Sequence, residues 1–151
     1  MTRVCVVGSD DVNLRYELLS RETSRAALAT YDLDEPFENS VAVDTVSLGA
    51  AVSLLNDLNW YLVRFADRAL VRDPSIDADE WLSRDLASAV RDGRVDPDET
   101  DEYAAVFGVD DNRLVEPMYA SRVDGGLPEY DLRDVAETVV VRLTSAEFDA
   151  G

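Results

Sequence analysis

Arg3-Val4-Cys5-Val6-Val7-Gly8-Ser9-Asp10-Asp11-Val12-Asn13-Leu14 is the stretch on which the fold assignment turns. A continuous, largely β-branched run that stops at a glycine and two acids reads as a buried strand from Arg3 to Gly8, followed by a turn. Asn13 stands where a helix N-cap is needed, because its side chain can accept from the free N–H groups of a first helical turn. The helix is expected to run to about Thr30, with Leu14, Leu18 and Leu28 near one face and Glu17 and Arg21 spaced as an i,i+4 pair. A strand that feeds a helix directly points to an α/β architecture.

Further along, Asp32-Leu33-Asp34-Glu35-Pro36 breaks the helical pattern, and Val41, Val43, Val46 and Leu48 suggest a second strand with a one-residue irregularity. Ser47 can cap a helix over at least Leu48 to Leu58, whose apolar positions recur at helical spacing. Trp60 to Phe65 either continues as helix, the favoured reading, or forms a strand hairpinned across Ala66-Asp67-Arg68 to a short strand at Ala69 to Arg72. A helix is expected over Ala78 to Arg91, where Asp77 and Glu80 resemble a capping box and Gly93 follows as a stop. Asp96-Pro97-Asp98-Glu99 repeats that start chemistry, placing Tyr103, Val106 and Phe107 on a helical stripe ended by Gly108. Arg113 to Ala120 reads as a strand that Pro117 assigns to a sheet edge. Leu132, Val135, Ala136, Val139, Val140 and Leu143 fall on one helical face, so a C-terminal helix capped by Asp131 is expected. The resulting order, βαβαβααβα, describes a small layered α/β domain spanning 1–151, with a mostly parallel sheet and helices packed on it.

Composition sets the chemical limits. The 151 residues include 32 Asp and Glu against 14 basic residues, a formal net charge of −18. Every basic residue is Arg, and Lys, His and Gln are absent. Such self-repulsion is tolerable where the Debye length is only about 3 Å, in molar salt, and the pattern resembles the proteins of salt-accumulating halophilic archaea. Arg pairs bidentately with carboxylates and suits that setting. A content of 46% hydrophobic residues argues for a packed core rather than disorder. Direct nucleic-acid binding is not expected, since no window clusters Arg without interleaved acids. No stretch approaches the roughly 20 apolar residues of a membrane span, and the apolar run at the amino terminus is too short for a signal peptide, so a cytoplasmic location is expected.

The same inventory empties most catalytic classes. Without His there is no Ser-His-Asp triad, no Cys-His dyad and no histidine-ligated zinc. Without Lys no Walker motif can be written, and G-x-G-x-x-G is missing. Cys5, inside its apolar run, is expected to be a buried thiol rather than a nucleophile. Strand carboxyl ends in an open parallel sheet are where ligands bind, which selects Ser9, Asp10 and Asp11 after the first strand and Arg72 and Asp73 after the third. If Asp10, Asp11 and Asp73 converged they could hold Mg²⁺ for phosphoryl chemistry; as isolated turn acids they would do nothing of the kind. No other cofactor is expected. The weakly charged segment from Ser47 to Leu62 is read as a core helix, or as an interface with a protein partner or second copy in which Trp60 and Tyr61 are anchors. Arg64, Arg68 and Arg72 are expected to pair with surface carboxylates.

Val6-Val7-Gly8-Ser9-Asp10-Asp11 loosely resembles the start of a response-regulator receiver domain, which implies Mg²⁺ at the paired acids and a phosphoacceptor at Asp73; the late Lys of receivers has no counterpart here. The opening stretch through Arg21 and the segment from Ser47 to Leu62 also resemble an uncharacterised protein family of halophilic archaea. That resemblance implies a source and a location but no catalytic residue. The expected function is a non-enzymatic interaction or regulatory domain, with the small Mg²⁺-dependent domain as its alternative. If the charge is an adaptation to salt, the thermal midpoint should fall as KCl is lowered from molar to dilute buffer, because repulsion then acts over a longer Debye length. An unchanged midpoint and far-ultraviolet circular dichroism spectrum would contradict it.

Overall fold

Two of the expected caps form as read. In the computed structural model, which describes residues 1–122 and 137–150, Asn13 accepts from the Tyr16 amide at 3.1 Å and Ser47 from the Ala50 amide at 3.1 Å. The elements are β1 (Thr2–Gly8), α1 (Leu14–Leu19), α2 (Glu22–Leu28), β2 (Ser40–Thr45), α3 (Leu48–Asp57), α4 (Asn59–Phe65), β3 (Ala66–Arg72), β4 (Trp81–Ser83), α5 (Arg84–Arg91), a 3₁₀ turn (Pro97–Glu99), β5 (Tyr103–Asp110), β6 (Arg113–Ser121), β7 (Glu137–Leu143) and α6 (Ser145–Ala150). The helix expected from Asn13 to Thr30 is divided at Ser20 and Arg21, where the Ser24 hydroxyl reaches back to the Leu18 carbonyl.

The strands form one sheet in the order β2-β1-β3-β4-β7-β5-β6. A mostly parallel sheet is therefore wrong: among the described strands only β4 and β7 pair in parallel, and every other neighbouring pair is antiparallel. Alternating helices and strands imply parallel pairing only if each helix is a crossover to a neighbour. Here the crossover through α3 and α4 joins β2 to β3 across β1, which runs between them in the opposite sense. On the far side β5 likewise runs between β6 and β7. Two antiparallel three-stranded halves are thus spliced by β4.

Three expected helices give way to strands. Trp81–Ser83 is β4, and the helix behind it begins only at α5, capped by Ser83, whose side chain accepts from the Leu86 amide at 3.1 Å. Tyr103 to Asp110 is β5, buried on both faces, so its continuous apolar run carries no alternation to separate it from a buried helix. Val139, Val141 and Leu143 lie on one face of β7, which is registered on β5 from Tyr103↔Leu143 to Val109↔Glu137. The expected cap at Asp131 and the stripe positions Leu132, Val135 and Ala136 lie outside the described residues. Pro117 does sit on an edge strand, β6, which follows β5 through a two-residue turn with Asp111 and Asn112 at φ 53° and 63°. That is the primed hairpin geometry Asp and Asn tolerate.

Alternation sends Val4, Val6, Val41, Val43, Val71 and Leu82 into a core with Leu14, Leu18, Leu55, Leu58 and Leu86 of the helices. Cys5, Ala42, Leu70, Trp81, Phe107 and Val141 point to the opposite face. The sheet coils about that second face until the β5–β6 turn meets the loop before β2. There the Glu38 amide donates to the Asn112 carbonyl at 2.8 Å, and Arg113 grips the Glu38 carboxylate at 2.7 and 2.8 Å.

The splice at β4 is flanked by a partly buried ionic cluster. Arg142, only 8% exposed, donates to Glu80 at 2.8 Å, to the Thr100 hydroxyl at 2.9 Å and to Asp77 at 3.3 Å. Arg122 donates to both oxygens of Glu80 at 2.7 Å. Asp77 also accepts from the Asp79 and Glu80 amides at 2.9 and 2.7 Å, and these backbone donors with the two guanidinium groups hold its carboxyl below the usual range. Removing one member strands the others in a desolvated site. Glu80→Ala is expected to lower stability by about 3 kcal/mol or more, seen as a lower urea midpoint at unchanged slope; a loss below about 1 kcal/mol would show that the cluster carries no such coupling.

Candidate functional site

Helices α1 to α5 cover one face of the sheet, and the concave face opposite, where Phe148 of α6 packs on Tyr103, holds two adjoining cavities. The first, of about 830 Å³, lies between the β1–α1 loop, the residues before β2 and the β5–β6 turn, and is lined by Val7, Asp10, Glu38, Arg68, Asp110 and Arg113 among others. The second, of about 390 Å³, has Leu70, Ala105, Phe107, Val141 and Leu143 as its apolar lining, with Arg68, Ser83, Arg84, Tyr119 and Glu147 around them. Asp67 and Arg68 border both.

The loop that bounds the first cavity is fixed by Asn39. Its side-chain amide donates to the Ser9 and Val12 carbonyls at 2.9 Å each, and its oxygen accepts from the Leu14 amide at 2.9 Å. Its own backbone is left-handed, with φ 55°, a conformation Asn tolerates. Gly8 allows this approach, since a Cβ there would meet the Asn39 amide at 2.7 Å and the Leu14 Cβ at 2.8 Å. The Gly8 amide in turn donates to the Asn39 carbonyl at 2.8 Å.

Two ion pairs stand in the first cavity, whose lining carries twice as many acids as Arg. Arg15 meets Glu35 at 3.2 Å, and Arg113 holds the Glu38 carboxyl below the usual range by its two hydrogen bonds. Arg68 is arranged differently. Its guanidinium lies 4.4 Å from the centre of the Phe107 ring, and its Nε is 3.7 Å from Asp67, beyond hydrogen-bonding distance.

Of the residues singled out from sequence, Asp10 and Asp11 are both exposed, and Asp10 also lines the first cavity. Ser9 serves the loop through its backbone, donating to the Phe65 carbonyl at 2.9 Å. Asp73 belongs to a turn, accepting from the Ser75 amide and hydroxyl at 2.9 and 2.8 Å. Because β1 and β3 are antiparallel, with Arg3 opposite Arg72 and Gly8 opposite Ala66, Asp73 follows the end of β3 that lies beside the start of β1. A strand of that length separates it from Asp10 and Asp11 by about 20 Å. The three carboxylates therefore do not share one coordination sphere, and among the described residues no group of three or more acidic or cysteine side chains is placed to hold a metal. Arg72 stacks on Trp81 at 4.6 Å and Arg64 on Trp60 at 3.7 Å, so the Arg64, Arg68 and Arg72 side chains all rest on aromatic rings. Trp60 is 48% exposed, whereas Tyr61 packs into the core at 9% exposure.

Arg68 and Phe107 escaped detection as a pair because the sequence placed Phe107 on a helix. The alternation Arg68-Leu70-Arg72, extended back from the expected strand at Ala69, was the available signal.

A family model described as a family of unknown function (DUF5804) matches residues 2–109. No curated protein and no solved structure matches the chain. No helix among the described residues is long and apolar enough to cross a membrane.

Cys5 is buried at the floor of β1, and burial pushes its thiol up to about 12. Iodoacetamide at pH 8 should leave Cys5 unmodified in the folded protein and alkylate it promptly in urea, since the thiolate is the reactive form. Rapid native labelling, followed by mass spectrometry, would contradict the burial.

Proposed function

We propose that this chain, which belongs to the family of unknown function DUF5804, is a non-enzymatic interaction or regulatory domain whose binding surface is the concave face of the sheet. One observation carries this: α1 to α5 cover one face, while the other face, against which α6 packs, holds two cavities that meet at Arg68. Both volumes fall within the range of about 300–1,000 Å³ typical of small-molecule sites.

The chemistry of the lining favours recognition over turnover. General acid–base catalysis works best with a group whose pKa lies near the operating pH. The chain has no His or Lys, Cys5 lines neither cavity, and the Glu38 carboxyl is held by Arg113 still further from neutral pH. The net charge of −18 and the exclusive use of Arg support a working environment of molar salt inside a halophilic cell.

Ligand-observed nuclear magnetic resonance against a mixed metabolite library in molar KCl tests this. Compounds should bind without being converted, and Val115→Trp, at a partly exposed position lining the first cavity, should weaken those that occupy it. Conversion of a bound compound to product, or a library from which nothing binds the concave face, would overturn the proposal.

A further inference from the structure

We propose that the second cavity takes a small organic monocarboxylate with an apolar body, its carboxylate held by Arg68. This assignment rests on the concave face being the binding surface and adds the class of ligand.

Arg68 occupies an unusual position in a chain with more than two acids for every Arg. Among the described residues its guanidinium donates no hydrogen bond; its Cζ lies 4.4 Å from the centre of the Phe107 ring, with Asp67 3.7 Å from Nε. A guanidinium with no acceptor at hydrogen-bonding distance keeps a two-N–H edge for a ligand. That edge matches the two oxygens of a carboxylate.

The remaining lining sets the rest of the ligand. Leu70, Ala105, Phe107, Val141 and Leu143 are buried and offer only apolar surface, which fits a hydrocarbon or aromatic body. Glu147 is already engaged, accepting from the Ser83 hydroxyl at 2.5 Å and the Thr144 amide at 3.0 Å. Arg84 is engaged too, donating to Asn59 at 2.9 Å and to Asn56 at 3.2 Å. Asp67, Asp85 and Glu147 in the lining already outnumber Arg68 and Arg84, so a dianion such as a phosphate monoester meets more repulsion than a monocarboxylate does.

The probes are 3-phenylpropionate and its uncharged amide, titrated into the wild-type protein in molar KCl by isothermal calorimetry. The acid should bind at least about tenfold more tightly than the amide, the margin of a charge-assisted hydrogen-bonded pair. Arg68→Met, which keeps an apolar stem on Phe107, should remove that preference, and Arg25→Ala, at an exposed position of α2 that lines neither cavity, should leave it intact. Equal binding of acid and amide, a preference that survives Arg68→Met, or no binding of the acid would overturn the assignment. The acid–amide comparison needs no variant and stands even if Arg68→Met fails to fold. Where the acid fails but other metabolites still bind the concave face, the ligand class falls and the proposed function stands.

Discussion

Everything in this sheet depends on β4, three residues long, being held between two antiparallel halves. It contributes two register pairs to β3 and two to β7, too few hydrogen bonds to bind the halves by backbone alone. The added constraint is the cluster of Arg142, Arg122, Glu80, Asp77 and Thr100 beside it. Two guanidinium groups face two carboxylates there, and Glu80 directly precedes Trp81, the first residue of β4. The cluster is neutral overall in a chain of net charge −18. Burial removes it from the salt screening that governs the exposed acids, so the surface charge and the internal ion pairs respond to ionic strength differently.

The concave face follows from that splice. With the halves fixed side by side, bulges at Val7/Gly8 and at Phe107/Val109 add local twist to the sheet. The β5–β6 turn then reaches Glu38, and the floor between them brings Arg68 of β3 over Phe107 of β5. Residues some forty positions apart in sequence thus meet on one face. The same coiling leaves space at either side of Arg68 rather than a filled interior.

Local chemistry was well written in the sequence; long-range pairing was not. Asn13 and Ser47 read as caps because capping is decided within four residues, and both cap. Asp77 and Glu80 read as a capping box and do share a hydrogen bond, but in the turn before β4 rather than in a helix. In β5 both faces are buried, which erases the period that distinguishes strand from helix. The largest departure, the antiparallel sheet, arose because direction is set by which strand each crossover reaches, and no spacing encodes that. It carried the candidate site with it: Asp10, Asp11 and Asp73 form one site only if β1 and β3 run the same way. Arg68 was visible as a residue, but its partner Phe107 became meaningful only once β5 was known to be a strand.

Native-state amide hydrogen exchange in molar KCl tests most directly whether β4 and its ionic cluster join the halves into one cooperative unit. The slowest amides of β1 and of β5 should report the same opening free energy, and both should fall together in Arg142→Met. Protection of β1 that persists while β5 exchanges freely, in either protein, would show that the halves open independently and would contradict the account.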